Sequence, residues 1–195
     1  MDAALAALIA ATGWSSGVNV YLSMLVVGLA GRAEVITVPA AMTRTDVLIA
    51  AGILVAVEFV ADKVPYFDSF WDLVHTIVRP VGGAALGAVL SGEADTVVAA
   101  LAAGGLAIAS HVAKATTRAA VNASPEPVSN LLVSLTEDGM VLGVLWLAVA
   151  APVLSLLVVA VLVIGGAALT VAVFGRARRA LRARRERRAL RRTPG

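Results

Sequence analysis

Cysteine is absent from the 195 residues, charged residues make up only 15% of them, and aromatic residues only 5%. The first absence excludes a disulfide-stapled secreted domain and any zinc module built on thiolates. The second falls well short of the roughly 25% charged residues of a water-soluble domain. Hydrophobic residues reach 59%, which also excludes a disordered chain. With a mean hydropathy of +0.90, the composition is that of an integral membrane protein.

Acids are nearly missing from the last twenty positions. From Arg176 onward there are ten Arg and one acid, Glu186, whereas residues 1–175 carry six bases against twelve acids. The net charge of +3 is therefore a body of −6 and a tail of +9. These figures divide the chain into a transmembrane domain over 1–175 and a basic cytoplasmic tail over 176–195.

A helix needs about 20 residues to cross a hydrocarbon core. Residues 3–31 carry no charge and form a first span, with a break expected at Gly13-Trp14-Ser15-Ser16-Gly17 because glycine and serine weaken a helix. The start Met1-Asp2, without Lys or Arg, argues against a secretory signal. Residues 46–64 and 95–115 give a second and a fourth span. The charge-free run between them, Pro80 to Gly92, has only 13 residues. A third span must extend back through Arg79, His75 and Asp72, or dip partway as a re-entrant segment. Gly139 to Gly175 is uncharged for 37 residues, too short for two crossings and a turn. A turn at Pro152 then forces the fifth span to begin near Pro127 or Val128 and to bury Glu137 and Asp138. The alternative is one long tilted helix over 139–175.

The expected fold is all-α, a polytopic membrane helical bundle of about six spans, with re-entrant or amphipathic pieces allowed at 65–80 and 122–138. Six spans place both termini on one side, and the arginines make that side the cytoplasmic face of a bacterial inner membrane. The segments 56–90 and 109–147 share a layout of apolar helix, charged end, proline-bearing loop and glycine-containing helix. They read as two parallel hairpin repeats, at about 46–93 and 95–150, which is a recurring transporter architecture.

The polar residues follow helical spacing. Asp68, Asp72, His75 and Arg79 lie at i, i+4, i+7 and i+11, and His111, Lys114, Arg118 and Asn122 at i, i+3, i+7 and i+11. Asn130, Ser134 and Glu137 form a stripe on the fifth span, while Glu58, Asp62 and Lys63 close the second. Such residues either hold helices together by ion pairs or line an ion or substrate pathway.

The run Glu58 to Pro80, EFVADKVPYFDSFWDLVHTIVRP, together with SPEPVSNLLVSLTEDG from Ser124 to Gly139 and the early SSGVNVYLS, resembles the bacterial membrane family catalogued as domain of unknown function 4126. The resemblance covers roughly residues 5–175 and leaves out the arginine tail. Its motif strings fall on Asp62, Lys63, Pro65, Asp68, Ser69, Trp71 and Asp72, and on Ser129, Asn130, Ser134, Glu137 and Asp138. It implies a multi-span inner-membrane protein and supplies no activity.

Three functions compete. The first is a small transporter or channel whose polar pathway uses Glu58, Asp62, Lys63, Asp68, Asp72, His75, Arg79, His111, Lys114, Arg118, Asn130, Ser134, Glu137 and Asp138. The second is a membrane-embedded enzyme acting on a lipid or lipid phosphate, with Asp68, Asp72 and His75 on a divalent metal. No HExxH, GxSxG or P-loop string supports it. The third is a scaffold whose Arg176, Arg178, Arg179, Arg182, Arg184 and Arg185 hold anionic lipids. The sequence calls for no cofactor and no nucleic acid, since no aromatic residues interleave the arginines. The expected partners are the bilayer, anionic lipid at the tail and a second copy in a homo-oligomer.

Overall fold

The computed structural model describes residues 1–64, 67–92, 95–122 and 127–190, without the side chains of residues 68, 69, 127, 183, 184 and 186–190. Among these residues there is no strand. Six helices follow in order: α1 (Ala3–Arg32), α2 (Thr45–Ala61), α3 (Phe67–Ser91), α4 (Thr96–Asn122), α5 (Pro127–Ala150) and α6 (Pro152–Leu190), with a 3-10 turn at Ala40–Thr43. Five of them, all but α2, are long and apolar enough to cross a membrane. At 17 residues, α2 lies at the lower limit of a crossing. The chain is thus a polytopic helical bundle.

Several boundaries follow the sequence closely. The third span does extend back through Arg79, His75 and Asp72, since α3 begins at Phe67 and runs through Pro80 without a break. The fifth begins at Pro127, and Ala151 alone separates α5 from α6, so the single long tilted helix is not formed. The basic tail is no separate element: α6 continues through Gly175 to Leu190.

The expected break in α1 is misplaced. Gly13 to Gly17 is helical, and the non-helical residue is Asn19, at φ −152° and ψ 97°. The glycines serve close packing instead. A Cβ on Gly13 would lie 2.5 Å from the Ala103 Cα, and one on Gly17 would collide with the Ala107 carbonyl and the Ser110 hydroxyl. Gly83 and Gly87 of α3 meet Ala107 and Ala103 in the same way. In lipid, where apolar side chains gain nothing by leaving their surroundings, such small-residue contacts are what let helices adhere.

The break at Asn19 reverses the chain. Residues 3–18 run alongside α4, with Gly13 on Ala103, Gly17 on Ala107 and Val18 on Lys114. α6 runs parallel to α4, Gly166 meeting Ala113 and Thr170 meeting Thr116. α5 is antiparallel to both, since it is joined to α6 by one residue and Ser155 bonds the Val144 carbonyl. Residues 20–32 follow α5: Asn19 bonds Asp138, while Val26, Ala30 and Val35 lie with Leu142 to Ala150. α1 is therefore a helical hairpin whose ends both lie near the turns joining α3 to α4 and α5 to α6. The expectation that the two termini share one side counts α1 as a crossing. The hairpin corrects it, and the N-terminus sits at the end of the bundle opposite the arginine tail.

The two ends of the bundle differ in chemistry. Toward the N-terminus the core is apolar, with Leu8, Ile9, Val27, Leu86, Leu90, Ala99, Leu145 and Ala148 in one cluster. From the level of Asn19 toward the tail, the interior is filled by charge.

Candidate functional site

Four helices send charged or polar side chains to this buried level: α2 brings Glu58, with Asp62 just past its end, α3 brings Asp72, His75 and Arg79, α4 brings His111, Lys114 and Arg118, and α5 brings Asn130 and Glu137. All ten are buried, and the guanidinium side chains of Arg79 and Arg118 are only 0% and 1% exposed. An unpaired charge at such a place costs several kcal/mol, roughly, so each needs partners.

The partners divide into two groups. Arg79 donates from Nη2 to Glu58 Oε1 and from Nη1 to Asp72 Oδ1, both at 2.7 Å. Lys114 donates to Asp62 Oδ2 at 2.7 Å, and Arg118 donates to Glu137 Oε2 at 2.6 Å and to Asp62 Oδ2 at 3.3 Å. Arg118 also donates to the Asp62 carbonyl at 2.7 Å and to Asn130 Oδ1 at 2.9 Å. Weaker ion pairs, Lys114 with Glu58 at 3.7 Å and with Glu137 at 3.8 Å, join the groups.

Hydrogen-bond complementarity assigns both ring nitrogens of His111 and one of His75. His111 Nδ1 lies 3.0 Å from Arg79 Nη1, a donor only, so it accepts. Its Nε2 then donates to Thr76 Oγ1 at 3.2 Å, whose own proton goes to the Asp72 carbonyl. His75 Nδ1 lies 2.8 Å from the Trp71 carbonyl and must donate, while its Nε2 shares a hydrogen bond of 3.0 Å with the Tyr21 hydroxyl. The His111 imidazole is thereby held neutral.

The hairpin of α1 completes the site. Asn19 Oδ1 accepts from the Leu22 amide at 2.9 Å and so caps the second half of the helix. That leaves the Val18 carbonyl without an intrahelical donor, and Lys114 Nζ takes it at 3.0 Å. A cation thus sits at the negative end of one half-helix. At the positive end of the other, Asn19 Nδ2 donates to Asp138 Oδ1 at 3.3 Å. Beside these groups lies a cavity of about 210 Å³, lined by Lys114, Glu137 and Ser110 on its polar side and by Trp14, Met140 and Leu162 on its apolar one.

Of the residues expected from the sequence, ten converge. Lys63 stands at the margin, bonded to the Phe59 carbonyl at 2.9 Å and to Ser134 Oγ at 3.3 Å, with its ammonium over the Phe59 ring. Asp138 faces Asn19 rather than the network. The side chains of Asp68 and Arg184 lie outside the described residues. Arg176, Arg178, Arg179, Arg182 and Arg185 are exposed on α6, far along the chain from the network. Asp72 and His75 are committed to Arg79, Tyr21 and Trp71, and among the described residues no three His, Asp or Glu side chains converge as metal ligands.

Asn19, Tyr21, Ser110 and Thr76 belong to the site and were not singled out by spacing. Asn19 carried a signal all the same, as the one amide in an otherwise uncharged span. No curated protein and no solved structure matches the chain. The polytopic helical bundle and the position of its charged motifs agree with one finding: the family model described as domain of unknown function 4126 matches residues 6–174, and the chain belongs to that family.

Proposed function

We propose that this membrane protein is a small transporter or channel that moves an ion or small polar solute through the site where the α1 hairpin meets the charge network. One observation carries the proposal: a helix interrupted inside the bundle offers its freed Val18 carbonyl to Lys114 beside a cavity that Glu137 also lines. Interrupted helices with half-helix ends aimed at charged groups are how secondary transporters build their binding sites. Irregular backbone is tolerated at such depth only where protein or a cavity surrounds it.

On this reading five helices, α2 to α6, cross the membrane, and α1 re-enters from the side where the chain starts. The end bearing Lys63 and the arginine tail faces the cytoplasm by the excess of bases. The opposite end carries Asp2, Glu34, Asp46 and Asp95 against Arg32 and Arg44. The hairpins formed by α2 with α3 and by α4 with α5 run in the same sense, as two parallel repeats require.

A second reading, a rigid charged core that only holds helices together, is favoured by the close pairing of Arg79, Lys114 and Arg118 with carboxylates. Reconstitution in proteoliposomes separates the two. Transport predicts flux of protons, alkali cations or small zwitterions that falls at least tenfold in Glu137→Gln and in Lys114→Met, with the folded fraction retained. Liposomes no more permeable than empty ones to any of these solutes decide for the structural core.

A further inference from the structure

The network does not balance its charge. Among the described residues Lys114 and Arg118 face Asp62 and Glu137, two cations against two carboxylates. Arg79 alone faces both Glu58 and Asp72. The remaining neighbours do not supply the missing positive charge. His111 is neutral by its hydrogen bonds, His75 bonds the Trp71 carbonyl and the Tyr21 hydroxyl and neither carboxylate, and α6 carries no ionisable residue between Pro152 and Gly175. Lys63 and Asp138, at the margin, offset one another in sign. Lys114 approaches Glu58 only at 3.7 Å while bonding Asp62 at 2.7 Å.

The same place carries unused acceptors. Glu58 Oε2 and Asp72 Oδ2 are buried and make no hydrogen bond among the described residues, although each carboxylate gives its other oxygen to Arg79. Two carboxylates that share one guanidinium out of water, with the nearest ammonium bonded to another acid, favour retention of a proton by one of them.

We propose that Glu58, Arg79 and Asp72 form a proton-binding site, in which the two carboxylates hold one exchangeable proton between them, and that this proton is the ion coupled to passage through the neighbouring cavity. The inference rests on the transport reading for its role but not for its existence. Binding adds a proton to one carboxylate oxygen, forming an O–H bond. Release returns that proton to solvent and leaves the carboxylate on Arg79 with a net negative charge, a state that favours the entry of a cationic group.

Infrared spectroscopy of the full chain in lipid nanodiscs tests the site without measuring transport. At neutral pH the wild type should show the carbonyl stretch of a buried protonated carboxylic acid, shifted down on deuteration. Glu58→Gln and Asp72→Asn should each abolish the band, because either leaves one carboxylate for one guanidinium. Asp138→Asn should keep it. A wild type with no such band, or a band that survives both of the first two variants, overturns the proposal. So does loss of the band on adding sodium at constant pH, which would make the site one for an alkali cation. Should Glu58→Gln fail to fold, Asp72→Asn decides. If the band behaves as expected while proteoliposomes show no flux, the proton site stands and the transport reading falls. If flux is present without the band, the reverse holds.

Discussion

Arg79 and Arg118 share their functional group with the arginines at the far end of α6, and the two sets have opposite physical circumstances. The inner pair is 0% and 1% exposed, with each guanidinium bonded to more than one carboxylate or amide oxygen. Arg176, Arg178, Arg179, Arg182 and Arg185 are exposed, and Arg178, Arg182 and Arg185, at i, i+4 and i+7, share one face of the helix. Inside the bundle, where water cannot solvate it, a guanidinium becomes a cross-link whose removal strands several oxygens. Outside it is a screened point charge that decides orientation and attraction to anionic surfaces. The number of arginines is thus a poor guide to their importance, and burial decides which of them hold the fold.

The contrast can be broken most severely at Arg118. Arg118→Met should destabilise the bundle by about 3–5 kcal/mol, because Glu137 and Asp62 lose a partner while staying buried. The double variant Arg118→Met with Glu137→Gln should recover part of that loss, as one stranded charge is removed with the other. Thermal unfolding in detergent, followed by the fraction that stays monodisperse, measures both. A double variant no more stable than the single one would show that the guanidinium acts through its bonds to Asn130 and the Asp62 carbonyl instead.

A smaller effect is expected where no charge is involved. Gly17→Val should cost about 1–3 kcal/mol by overpacking, since its side chain would meet the Ala107 carbonyl and Ser110. The same thermal measurement applies, and Gly105→Val on the open side of α4, where a Cβ meets nothing within 4 Å, serves as its control.

The smallest change in stability belongs to the tail. Replacing Arg178, Arg179 and Arg182 by serine should alter the unfolding midpoint by no more than about 0.5 kcal/mol allows. The same variant should bind vesicles of anionic lipid more weakly, by about 1 kcal/mol for each arginine that reaches the surface, with the difference fading as salt is raised. Because α6 runs unbroken to Leu190, only its first turns beyond Gly175 are placed to touch headgroups. Vesicle binding unchanged by the substitution would leave orientation as the whole task of these arginines.

Much of this architecture is legible in the sequence. The hydrophobic lengths bounded the helices, and the shortfall over Gly139 to Gly175 required a fifth helix that buries Glu137. Helical spacing put Asp72, His75 and Arg79 on one face, and His111, Lys114 and Arg118 on another. The network joins those two faces. Spacing failed at Asn19, because a glycine and serine cluster gives the same weakening signal as a true interruption. Which of the two breaks a helix depends on what its neighbours offer: Ala103 and Ala107 reward a close straight approach at Gly13 and Gly17, and Lys114 takes the carbonyl that Asn19 releases.

By itself, the sequence determined that the protein lives in a membrane, that it is helical, and that its bases are concentrated at the C-terminal end. Those properties are sums over local composition and need no knowledge of neighbours. The tertiary structure alone decided that α1 turns back and that Glu58 and Asp72 share one arginine. Pairing between residues far apart in the chain is set by which helices adhere, and no one-dimensional pattern encodes that.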